Sequence, residues 1–354
     1  PTASNVDYYI NIVNEKAVLR SLIETATSIV SDAYMGDTGI NETLDDAERK
    51  ILNVVKNRKT SEFKPIQEAL SMAQSNLEKL SESGGDITGV PSGFYDLDKV
   101  TTGFHENEMI ILAARPGMGK TAIVLNIVVN VATYTKKNVA VFNLEMSADQ
   151  LATRMISSAG QIDGYKLKNG RLEHNDWKKV NEAISELSDT NLFIEDASGI
   201  TVSEIRAKCR RLATQENGLG IVIIDYLTLI QGSAKYQGNR QQEVSEISRA
   251  LKTMALELEV PVIALSQLSR SVEKREDKKP VLSDLRESGS IEQDADIVIF
   301  LYRDDYYNED SEKKNVAEVI LAKHRGGSTG TVDLAWLPSY TKFANLERRY
   351  FEEQ

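Results

Sequence analysis

The sequence is poor in cysteine, histidine and aromatic residues, and these shortages exclude several kinds of protein. Its 354 residues include one cysteine and three histidines, and 6% are aromatic. The single cysteine, Cys209, cannot form an internal disulfide and is typical of a reducing compartment. His105, His174 and His324 are too widely scattered for the spacing of a zinc site. No apolar run approaches the roughly 20 residues of a membrane-spanning helix, so we expect no membrane contact.

The charge balance argues against a protein that coats nucleic acid. The formal net charge is -11 at pH 7, which opposes binding of a polyanion over the whole surface but allows a local basic groove or pore. Hydrophobic residues at 41% and charged residues at 27% indicate a globular chain with a packed core. The length suffices for one large domain and a smaller one.

Residues 1–60 are predicted to form a helical hairpin. Apolar residues recur at steps of three and four on both sides of the turn "GDTGIN". The hairpin is either a packing element or an element for oligomerisation or partner docking. Residues 61–92 are predicted to form an amphipathic linker helix, "SEFKPIQEALSMAQSNLEKL", and a Gly/Ser hinge. This helix lies either on its own domain or on a neighbouring copy.

Residues 93–354 are predicted to form one α/β domain. Short runs rich in valine and isoleucine alternate with helical stretches, as in a mostly parallel sheet with helices on both faces. The strand candidates are "MIILAA", "NVAVFNL", "IVIID", "VPVIALS", "ADIVIFLY" and "VAEVILA". The tail "GSTGTVDLAWLPSYTKFANL" predicts an antiparallel hairpin at the sheet edge.

The stretch "LAARPGMGKTA" is predicted to be a phosphate-binding loop, because it follows a buried strand and opens a helix. Gly117 and Gly119 let backbone N–H groups turn toward phosphates. Lys120 would neutralise the β- and γ-phosphates, and the Thr121 hydroxyl would bind Mg²⁺. Ala114 replaces the usual first glycine, which requires an ordinary strand conformation there. The residues predicted to bind ATP or another NTP are Arg115, Pro116, Gly117, Met118, Gly119, Lys120, Thr121 and Ala122.

Three polar residues at strand ends predict hydrolysis at the carboxyl edge of the sheet. Asp225 ends "IVIID", where a nucleotide fold places its Mg²⁺-side acid. Glu145 follows another strand, where it would polarise an attacking water, although a helix-capping acid is the alternative. Gln267 ends "VIALSQ", where its amide either contacts the γ-phosphate or has a structural role.

Taken in order, these motifs resemble those of the DnaB family of replicative DNA helicases. The matching stretches are "GVPSGFYDLDKVTTGFHENEMIILAARPGMGKTA", "NLEMSADQL", "IVIIDYLTLI", "SQLSRSVEKR", "DLRESGSIEQDADIVIFLYR" and "KHRGGSTG". The resemblance covers the chain from about Ser61 to the tail, and the family also carries alanine at the position of Ala114. The hairpin is similar to the latter part of that family's helical N-terminal domain, so we interpret it as the remainder of a truncated one.

The resemblance implies a RecA-like domain in a homo-hexameric ring around single-stranded DNA. ATP would bind with Mg²⁺ between neighbouring subunits, and its hydrolysis would drive movement 5′ to 3′ and unwinding at a replication fork. Residue by residue, the implied roles are phosphate binding by Lys120, metal binding by Thr121 and Asp225, catalysis by Glu145 and γ-phosphate sensing by Gln267. Lys323 and Arg325 match a basic pair that reaches into the next subunit's site. We expect both to project outward from their own fold, the alternative being a solvated loop.

The stretch "DLRESGSIEQDAD" is expected to contact DNA through Arg286, Glu287 and Gly289. Arg286 carries a guanidinium, a type of group that binds phosphate, and Gly289 leaves its backbone N–H open to close approach. Glu287 would hold Arg286 or accept a hydrogen bond. The run "SRSVEKREDKKP" is either a second DNA contact or a solvated loop. Basic and aromatic residues do not alternate, so we expect tracking of the DNA backbone with little base stacking.

Partners and location follow from the same resemblance. It implies a primase and a helicase loader as partners, in the cytoplasm of a bacterial or phage-infected cell. Two alternatives are kept at this stage. A recombinase built on the same ATPase core would form open filaments, whereas a linker helix that docks on a neighbour favours a closed ring. A nucleotide-binding loader or scaffold without motor activity would tolerate Glu145→Gln.

Overall fold

The computed structural model of the chain describes residues 6–35, 39, 43, 46, 47, 50, 51, 54, 65–83, 87–232 and 238–346. The chain divides into two compact units, Pro1–Gly84 and Gly85–Gln354. The domain boundaries at residues 60 and 92 stay predictions. In the described part of the chain, no helix combines the length and the apolar character needed to cross a membrane.

The first unit contains the long helices α1 (Val6–Met35) and α2 (Ile66–Ser83). Both agree with helices that the apolar periodicity predicts. The second helix of the predicted hairpin falls mostly on residues outside the described ranges. Lys50, which belongs to that stretch, pairs with Asp32 of α1 and donates a hydrogen bond to Ser28 at 3.2 Å. Residue 50 therefore lies beside α1, as a hairpin requires.

The second unit is built on a nine-stranded sheet. Its strands are β1 (Met109–Ala114), β2 (Asn138–Asn143), β3 (Leu192–Glu195), β4 (Leu219–Asp225), β5 (Val262–Gln267), β6 (Ile297–Tyr302), β7 (Val316–His324), β8 (Gly330–Leu337) and β9 (Lys342–Asn345). The α-helices described in this unit are α3 (Tyr95–Thr101), α4 (Lys120–Thr135), α5 (Ala148–Gly160), α6 (Gly164–Asn169), α7 (His174–Ser188), α8 (Val202–Ala213), α9 (Arg240–Leu258) and α10 (Gly289–Asp294). Two 3₁₀ helices, Arg270–Lys274 and Leu282–Ser288, lie between β5 and α10.

The strand order is β3-β2-β4-β5-β1-β6-β7-β8-β9. The pairs from β3 to β6 are parallel, and β6–β7, β7–β8 and β8–β9 are antiparallel. The predicted mostly parallel sheet with C-terminal antiparallel strands is therefore confirmed. Because parallel strands point the same way, β1, β2, β4 and β5 all end at one edge of the sheet, where open α/β sheets bind ligands.

Apolar cores on both faces of the sheet hold it in register. In β1, Ile110, Leu112 and Ala114 pack in the core that contains α4, whereas Met109, Ile111 and Ala113 pack in the core that contains α8 and α9. Each of these six residues is at most 1% exposed. A central strand covered on both faces is a continuous apolar run in the sequence, which is why "MIILAA" is recognisable.

Two local features differ from expectation. Strand β3 is absent from the predicted strands, because it has four residues at the sheet edge and Phe193 is 41% exposed. It therefore lacks the continuous apolar run of a buried strand.

Gly89 and Val90, which the sequence assigns to the hinge, are bonded within the second unit. The Gly89 amide donates to Thr102 at 2.9 Å, and Val90 forms a β-bridge with Phe104.

The cysteine behaves as a core residue. Cys209 lies on α8 and is fully buried. Burial raises the pKa of its thiol to about 12, so the thiolate needed for nucleophilic chemistry is scarce at neutral pH. Cys209 is therefore a packing residue and not a nucleophile.

The sheet core provides a stability test on one helix. Leu251 of α9 is fully buried, whereas Leu256 of the same helix is 53% exposed. We expect Leu251→Ala to lower the free energy of unfolding by about 2–5 kcal/mol, because it leaves a cavity. The matched control Leu256→Ala should change it by less than about 0.5 kcal/mol. Urea unfolding followed by circular dichroism checks this, and equal losses for the two variants would contradict the packing of α9.

Candidate nucleotide-binding and hydrolysis site

The phosphate loop lies between β1 and α4, and its backbone needs glycine at two positions. Gly117 has a φ of 83° and Gly119 a φ of 99°, in the region that residues with a Cβ rarely adopt. Ala114 is the last residue of β1, and its φ is not positive. The alanine at this position is therefore compatible with the loop, as predicted. The N-terminus of α4 follows at Lys120, where its N–H groups and helix dipole favour an anion.

The C-terminal part of the domain supports this loop from behind. A Cβ on Gly117 would lie 2.8 Å from the ring of Tyr306, and one on Gly119 would lie 2.8 Å from the ring of Phe343. Nη1 of Arg303 also lies 3.4 Å from the carbonyl oxygen of Gly117. These three supporting residues are not evident in the sequence, because they come from distant strands and turns.

The predicted loop and the predicted strand-end acid meet directly. Thr121 Oγ1 donates a hydrogen bond of 2.8 Å to Asp225 Oδ2. Lys120 Nζ lies 3.7 Å from Asp225 Oδ1. The carboxylate of Asp225 is 3% exposed, so both interactions occur in a setting where water screens charge weakly. One hydroxyl, one ammonium and one carboxylate therefore converge at the carboxyl edge of the sheet.

This group of oxygens suits magnesium. Mg²⁺ prefers hard oxygen ligands and usually takes one or two carboxylates together with substrate phosphates and water. Among the described residues no group donates a hydrogen bond to the buried Asp225 Oδ1, and the Lys120 ammonium is 3.7 Å away, so this oxygen is an acceptor that Mg²⁺ would satisfy. Among the residues described, no group of three or more His, Cys, Asp or Glu side chains is arranged to hold a metal. A magnesium ion here would therefore depend on the nucleotide for its remaining ligands.

Lys120 is held as a partly desolvated cation. Burial lowers its pKa, and the carboxylates of Asp225 and Glu145 act in the opposite direction. Its ammonium also lies 4.7 Å from the centroid of the Tyr226 ring, within the range of a cation–π interaction. Tyr226 was not predicted as a site residue, although its position directly after Asp225 is a usable signal. An anionic phosphate would be a strong partner for this ammonium.

Asn143, also missed by the sequence reasoning, fixes the turn that carries Glu145. Its Oδ1 accepts hydrogen bonds from the backbone N–H groups of Met146 at 2.7 Å and Glu145 at 3.1 Å. Its Nδ2 lies 3.5 Å from Asp225 Oδ2. Glu145 itself is exposed at the strand end, and the cap position of α5 is occupied by Ser147. Glu145 is therefore not a helix cap. A polar residue ending a buried strand was the available signal for Asn143.

The strand β5 brings Gln267 to the same edge. Gln267 pairs in register with Ala114, the residue at which the phosphate loop begins, and the side chain of Gln267 is exposed.

Arg115 differs from expectation, because its guanidinium is buried. It donates to the carbonyl oxygen of Leu268 at 2.8 Å and to Glu273 at 2.9 Å. Only the backbone of Arg115 thus remains available to a phosphate while these bonds last.

The other predicted loop residues divide by exposure. Pro116 and Gly117 are exposed and can face a ligand. Met118 is 1% exposed and Ala122 is 3% exposed. Their side chains therefore pack into the core, and any role in nucleotide binding must come from the backbone.

Lys323 and Arg325 lie away from this site in their own chain. Strand β7 runs antiparallel to β6, so that Lys323 pairs with Val298 and His324 pairs with Ile297, the first residue of β6. The basic pair is therefore at the amino edge of the parallel strands. At about 3.3 Å per residue, it lies roughly 10 Å or more along the strands from the start of the phosphate loop.

The expectation that both basic residues project outward is wrong for Lys323. Its ammonium donates to the carbonyl oxygens of Glu292 at 2.6 Å and Ala295 at 2.7 Å, with Gln293 at 3.4 Å. The reason is that the C-terminal carbonyls of a helix attract a cation, and α10 ends here. Burial, followed by the neighbouring Arg325, lowers the pKa of Lys323. The side chain of Arg325 is 52% exposed, but its guanidinium also turns toward its own chain, with Nη2 donating to the carbonyl oxygen of Gln293 at 2.5 Å and Nη1 3.4 Å from Asp296 Oδ1.

The segment predicted to contact DNA consists of two short helices. The 3₁₀ helix Leu282–Ser288 is followed directly by α10, which begins at the exposed Gly289. The side chains of Arg286 and Glu287 lie outside those that the structure describes.

Three of the five basic residues in the run "SRSVEKREDKKP" have contacts within the fold, whereas Arg270 and Lys274 are exposed. Arg275 pairs with Asp284, and Lys279 pairs with Glu318. Lys278 lies 4.8 Å from the centroid of the Tyr307 ring. These contacts favour neither alternative of the sequence analysis, a solvated loop or a second DNA contact, because they assign the three side chains a structural role.

Comparison with known proteins agrees with this geometry. Residues 89–345 match the family described as DnaB-like helicase C terminal domain. The chain is 58% identical over 354 residues to Replicative DNA helicase DnaB of Geobacillus stearothermophilus, covering 100% of this chain and 78% of that protein. It is 55% identical over 350 residues to Replicative DNA helicase DnaC of Bacillus subtilis (strain 168), covering 99% of this chain and 77% of that protein.

Solved structures that are similar to this chain also include a DnaB-like helicase. One structure, described as an ATPase domain, is 47% identical with a TM-score of 0.77, covering 81% of this chain and 100% of that one. "The Structure Of A DnaB-Like Replicative Helicase And Its Interactions With Primase" is 41% identical with a TM-score of 0.83, covering 98% of this chain and 80% of that one. The predicted RecA-like fold is confirmed, and the recombinase and non-motor alternatives are set aside. The chain belongs to the DnaB family of replicative DNA helicases, which are ATP-hydrolysing enzymes.

Proposed function

We propose that the chain works as one subunit of a homo-hexameric ring that hydrolyses ATP between neighbours and moves 5′ to 3′ on single-stranded DNA. One observation carries this proposal. The groups that would bind and cleave ATP lie at the carboxyl edge of the sheet, whereas the basic pair Lys323 and Arg325 lies at the amino edge. Within one chain the two sets lie at opposite edges of the sheet, and we infer that a head-to-tail arrangement of copies brings the basic pair of one to the phosphate loop of the next.

Each residue at the carboxyl edge has a role in this proposal. Lys120 neutralises the β- and γ-phosphates, and Glu145 polarises the attacking water. Thr121 and Asp225 hold Mg²⁺, which would neutralise charge that develops on the phosphates. Gln267, beside the start of the loop, senses the γ-phosphate through its amide. The backbone N–H groups of the loop and the N-terminus of α4 bind the phosphate oxygens.

Lys323 and Arg325 complete the site of the neighbouring subunit. An arginine supplied in trans stabilises the charge of the phosphoryl-transfer transition state and is worth about 10³–10⁵ in rate. Both side chains must first leave partners in their own chain: Arg325 leaves Asp296 and the carbonyl oxygen of Gln293, and Lys323 leaves the carbonyl oxygens at the end of α10.

The DNA contact is proposed for Arg286, Glu287 and Gly289. Arg286 would bind a phosphate, Glu287 would orient Arg286 or accept a bond, and the exposed backbone at Gly289 allows close approach of a strand. Such contacts are independent of base sequence, as a moving motor requires.

Assembly and partners follow from exposed surface and from relatives. Ile66, Leu70 and Leu77 of α2 are each at least 60% exposed, so this helix offers an apolar stripe for docking on another copy. One solved relative is described together with its interactions with primase, and we extend a primase partner to this chain. A helicase loader and a location in the cytoplasm of a bacterial or phage-infected cell complete the proposal.

Unwinding of forked DNA tests the direction of movement. On forks with one blocked tail, we expect ATP-dependent unwinding only when a single-stranded 5′ tail is available for encirclement. A fluorophore and quencher on the two strands measure strand separation. Equal unwinding with either tail, or unwinding that needs only the 3′ tail, would contradict the proposed polarity.

Replacing Glu145 separates a motor from a nucleotide-binding scaffold. We expect Glu145→Gln to reduce DNA-stimulated ATP hydrolysis by about 10²–10⁴-fold, because the amide cannot act as a base. ATP binding should remain, since Lys120, Thr121 and Asp225 are unchanged. Phosphate release and binding of a fluorescent nucleotide measure the two steps.

The matched control is Asp149→Asn, which neutralises an exposed carboxylate four residues along the chain. It should keep the wild-type rate. Wild-type hydrolysis by Glu145→Gln would remove Glu145 from catalysis.

Mixing two inactive variants tests the shared site. Arg325→Ala lacks the group supplied in trans, and Lys120→Ala lacks the lysine that binds the phosphates, so each variant alone should hydrolyse ATP slowly. For Arg325→Ala we expect the hydrolysis rate to fall by about 10³-fold or more. In mixed rings, the intact loop of one variant meets the intact arginine of the other. We therefore expect mixing to restore part of the wild-type rate of phosphate release.

Two observations control that experiment. Arg171→Ala, which removes another exposed arginine, should be as active alone as in mixtures. If the first two variants stay inactive at every mixing ratio while native mass spectrometry detects mixed rings, Arg325 does not act in trans.

A further inference from the structure

The segment between β5 and α10 contacts the phosphate loop at one end and the proposed DNA segment at the other. We name residues 268–284 the connector. It contains the 3₁₀ helix Arg270–Lys274 and leads into the 3₁₀ helix Leu282–Ser288. Its two sets of contacts show how a change at the nucleotide could reach the DNA segment.

The first set of contacts fixes the connector to the phosphate loop through Arg115. The Nε and Nη2 atoms of Arg115 both lie 2.9 Å from Glu273 Oε1, and Nη1 donates to the carbonyl oxygen of Leu268 at 2.8 Å. The guanidinium side chain is 9% exposed. A charge this buried needs its partner, so a shift of Arg115 is favourable only if Glu273 moves with it.

The second set fixes the connector to the DNA segment through Asp284. Arg275 binds both carboxylate oxygens of Asp284, at 3.0 and 2.8 Å. The same carboxylate accepts the backbone N–H of Val281 at 2.7 Å, which caps the 3₁₀ helix Leu282–Ser288. The carbonyl oxygen of Asp284 accepts the N–H of Ser269 at 3.1 Å. Asp284 therefore sets the start of the helix that carries residue 286.

The middle of the connector is also anchored. Lys279 pairs with the buried Glu318 of β7, and the Lys278 ammonium lies 4.8 Å from the centroid of the Tyr307 ring. Because the connector is bonded at both ends and in the middle, it has little freedom to move independently of the segments that it contacts. Packed and bonded elements of this kind change between discrete arrangements instead of deforming gradually.

Glu273 and Arg275 are two residues apart at one short turn, yet they face different sites. Glu273 binds the phosphate loop, and Arg275 binds the start of the DNA segment. We propose that Glu273 is a positioning residue that couples nucleotide binding at the phosphate loop to DNA binding at residues 286–289. This inference rests on the proposed DNA contact. To the proposed DNA contact it adds Glu273, a residue that would touch neither the nucleotide nor the DNA.

The test compares Glu273→Gln with wild type in the full chain. Glutamine keeps the size of the side chain and one acceptor oxygen but removes the charge that holds Arg115. For each protein, the affinity for fluorescent oligo-dT is measured by anisotropy with and without a non-hydrolysable ATP analogue and Mg²⁺. The ratio of the two affinities is the coupling, which in proteins is typically about 5- to 150-fold.

We expect Glu273→Gln to bring this ratio close to one while leaving DNA affinity without nucleotide unchanged. The matched control is Glu276→Gln, the same substitution on an exposed residue of the same connector, and it should keep the wild-type ratio. Binding of a fluorescent nucleotide analogue without DNA, measured in parallel, reports the state of the phosphate loop. Urea unfolding checks that all three proteins have the same stability.

Four outcomes would overturn the inference. A wild-type ratio in Glu273→Gln removes the residue from the coupling while leaving the proposed function intact. Weaker nucleotide binding with an unchanged ratio assigns Glu273 only to the shape of the loop. A wild-type protein whose DNA affinity does not respond to the analogue contradicts the coupling itself, and failure of wild type to bind oligo-dT at all contradicts the proposed function as well.

Discussion

The parallel pairing of β1 with β5 and β6 is the constraint on which the candidate site depends. Ala114 is fixed opposite Gln267, and Ala113 opposite Phe300. A slip of one residue would exchange the side chains that enter the two cores, so packing on both faces specifies the register. Once that register is set, the phosphate loop leaves the sheet beside the ends of its neighbours. The hydrogen bond from Thr121 to Asp225 is a consequence of this arrangement.

Local signals predicted the parts of the site that strand direction brings together. The loop, its two glycines and Asp225 are recognisable because each depends on a short stretch and on a buried strand before it. Contacts between distant segments were not predictable in this way. The sequence places Lys323 at the end of a strand but contains no sign that the carbonyl oxygen of Glu292 lies 2.6 Å away. Likewise, the motif assigns Arg115 to a nucleotide, whereas its partner Glu273 lies 158 residues later.

Net charge is a poor guide to where this protein can bind a polyanion. Arg115, Arg275, Lys279 and Lys323 are all bonded to carboxylates or carbonyl oxygens inside the fold. At Arg115, whose side chain is 9% exposed, burial makes such partners necessary, because an unpaired buried charge is costly. The basic run in the sequence therefore supplies three side chains to structure. Binding of a phosphate backbone depends on where the fold leaves cations exposed, more than on the overall value of -11.

The two members of the basic pair are not equivalent in the proposed ring. Arg325 is 52% exposed, and to approach a neighbour's phosphate its guanidinium would have to leave Asp296 and the carbonyl oxygen of Gln293. Lys323 has three carbonyl oxygens within 3.4 Å, so its ammonium has to exchange these neutral acceptors for an anion. Burial and the neighbouring Arg325 lower the pKa of Lys323 where it now lies, whereas a hydrogen bond to an anionic phosphate would be charge-assisted on both sides. In the proposed ring, that exchange would free the carbonyl oxygens at the end of α10, the helix that follows the proposed DNA segment.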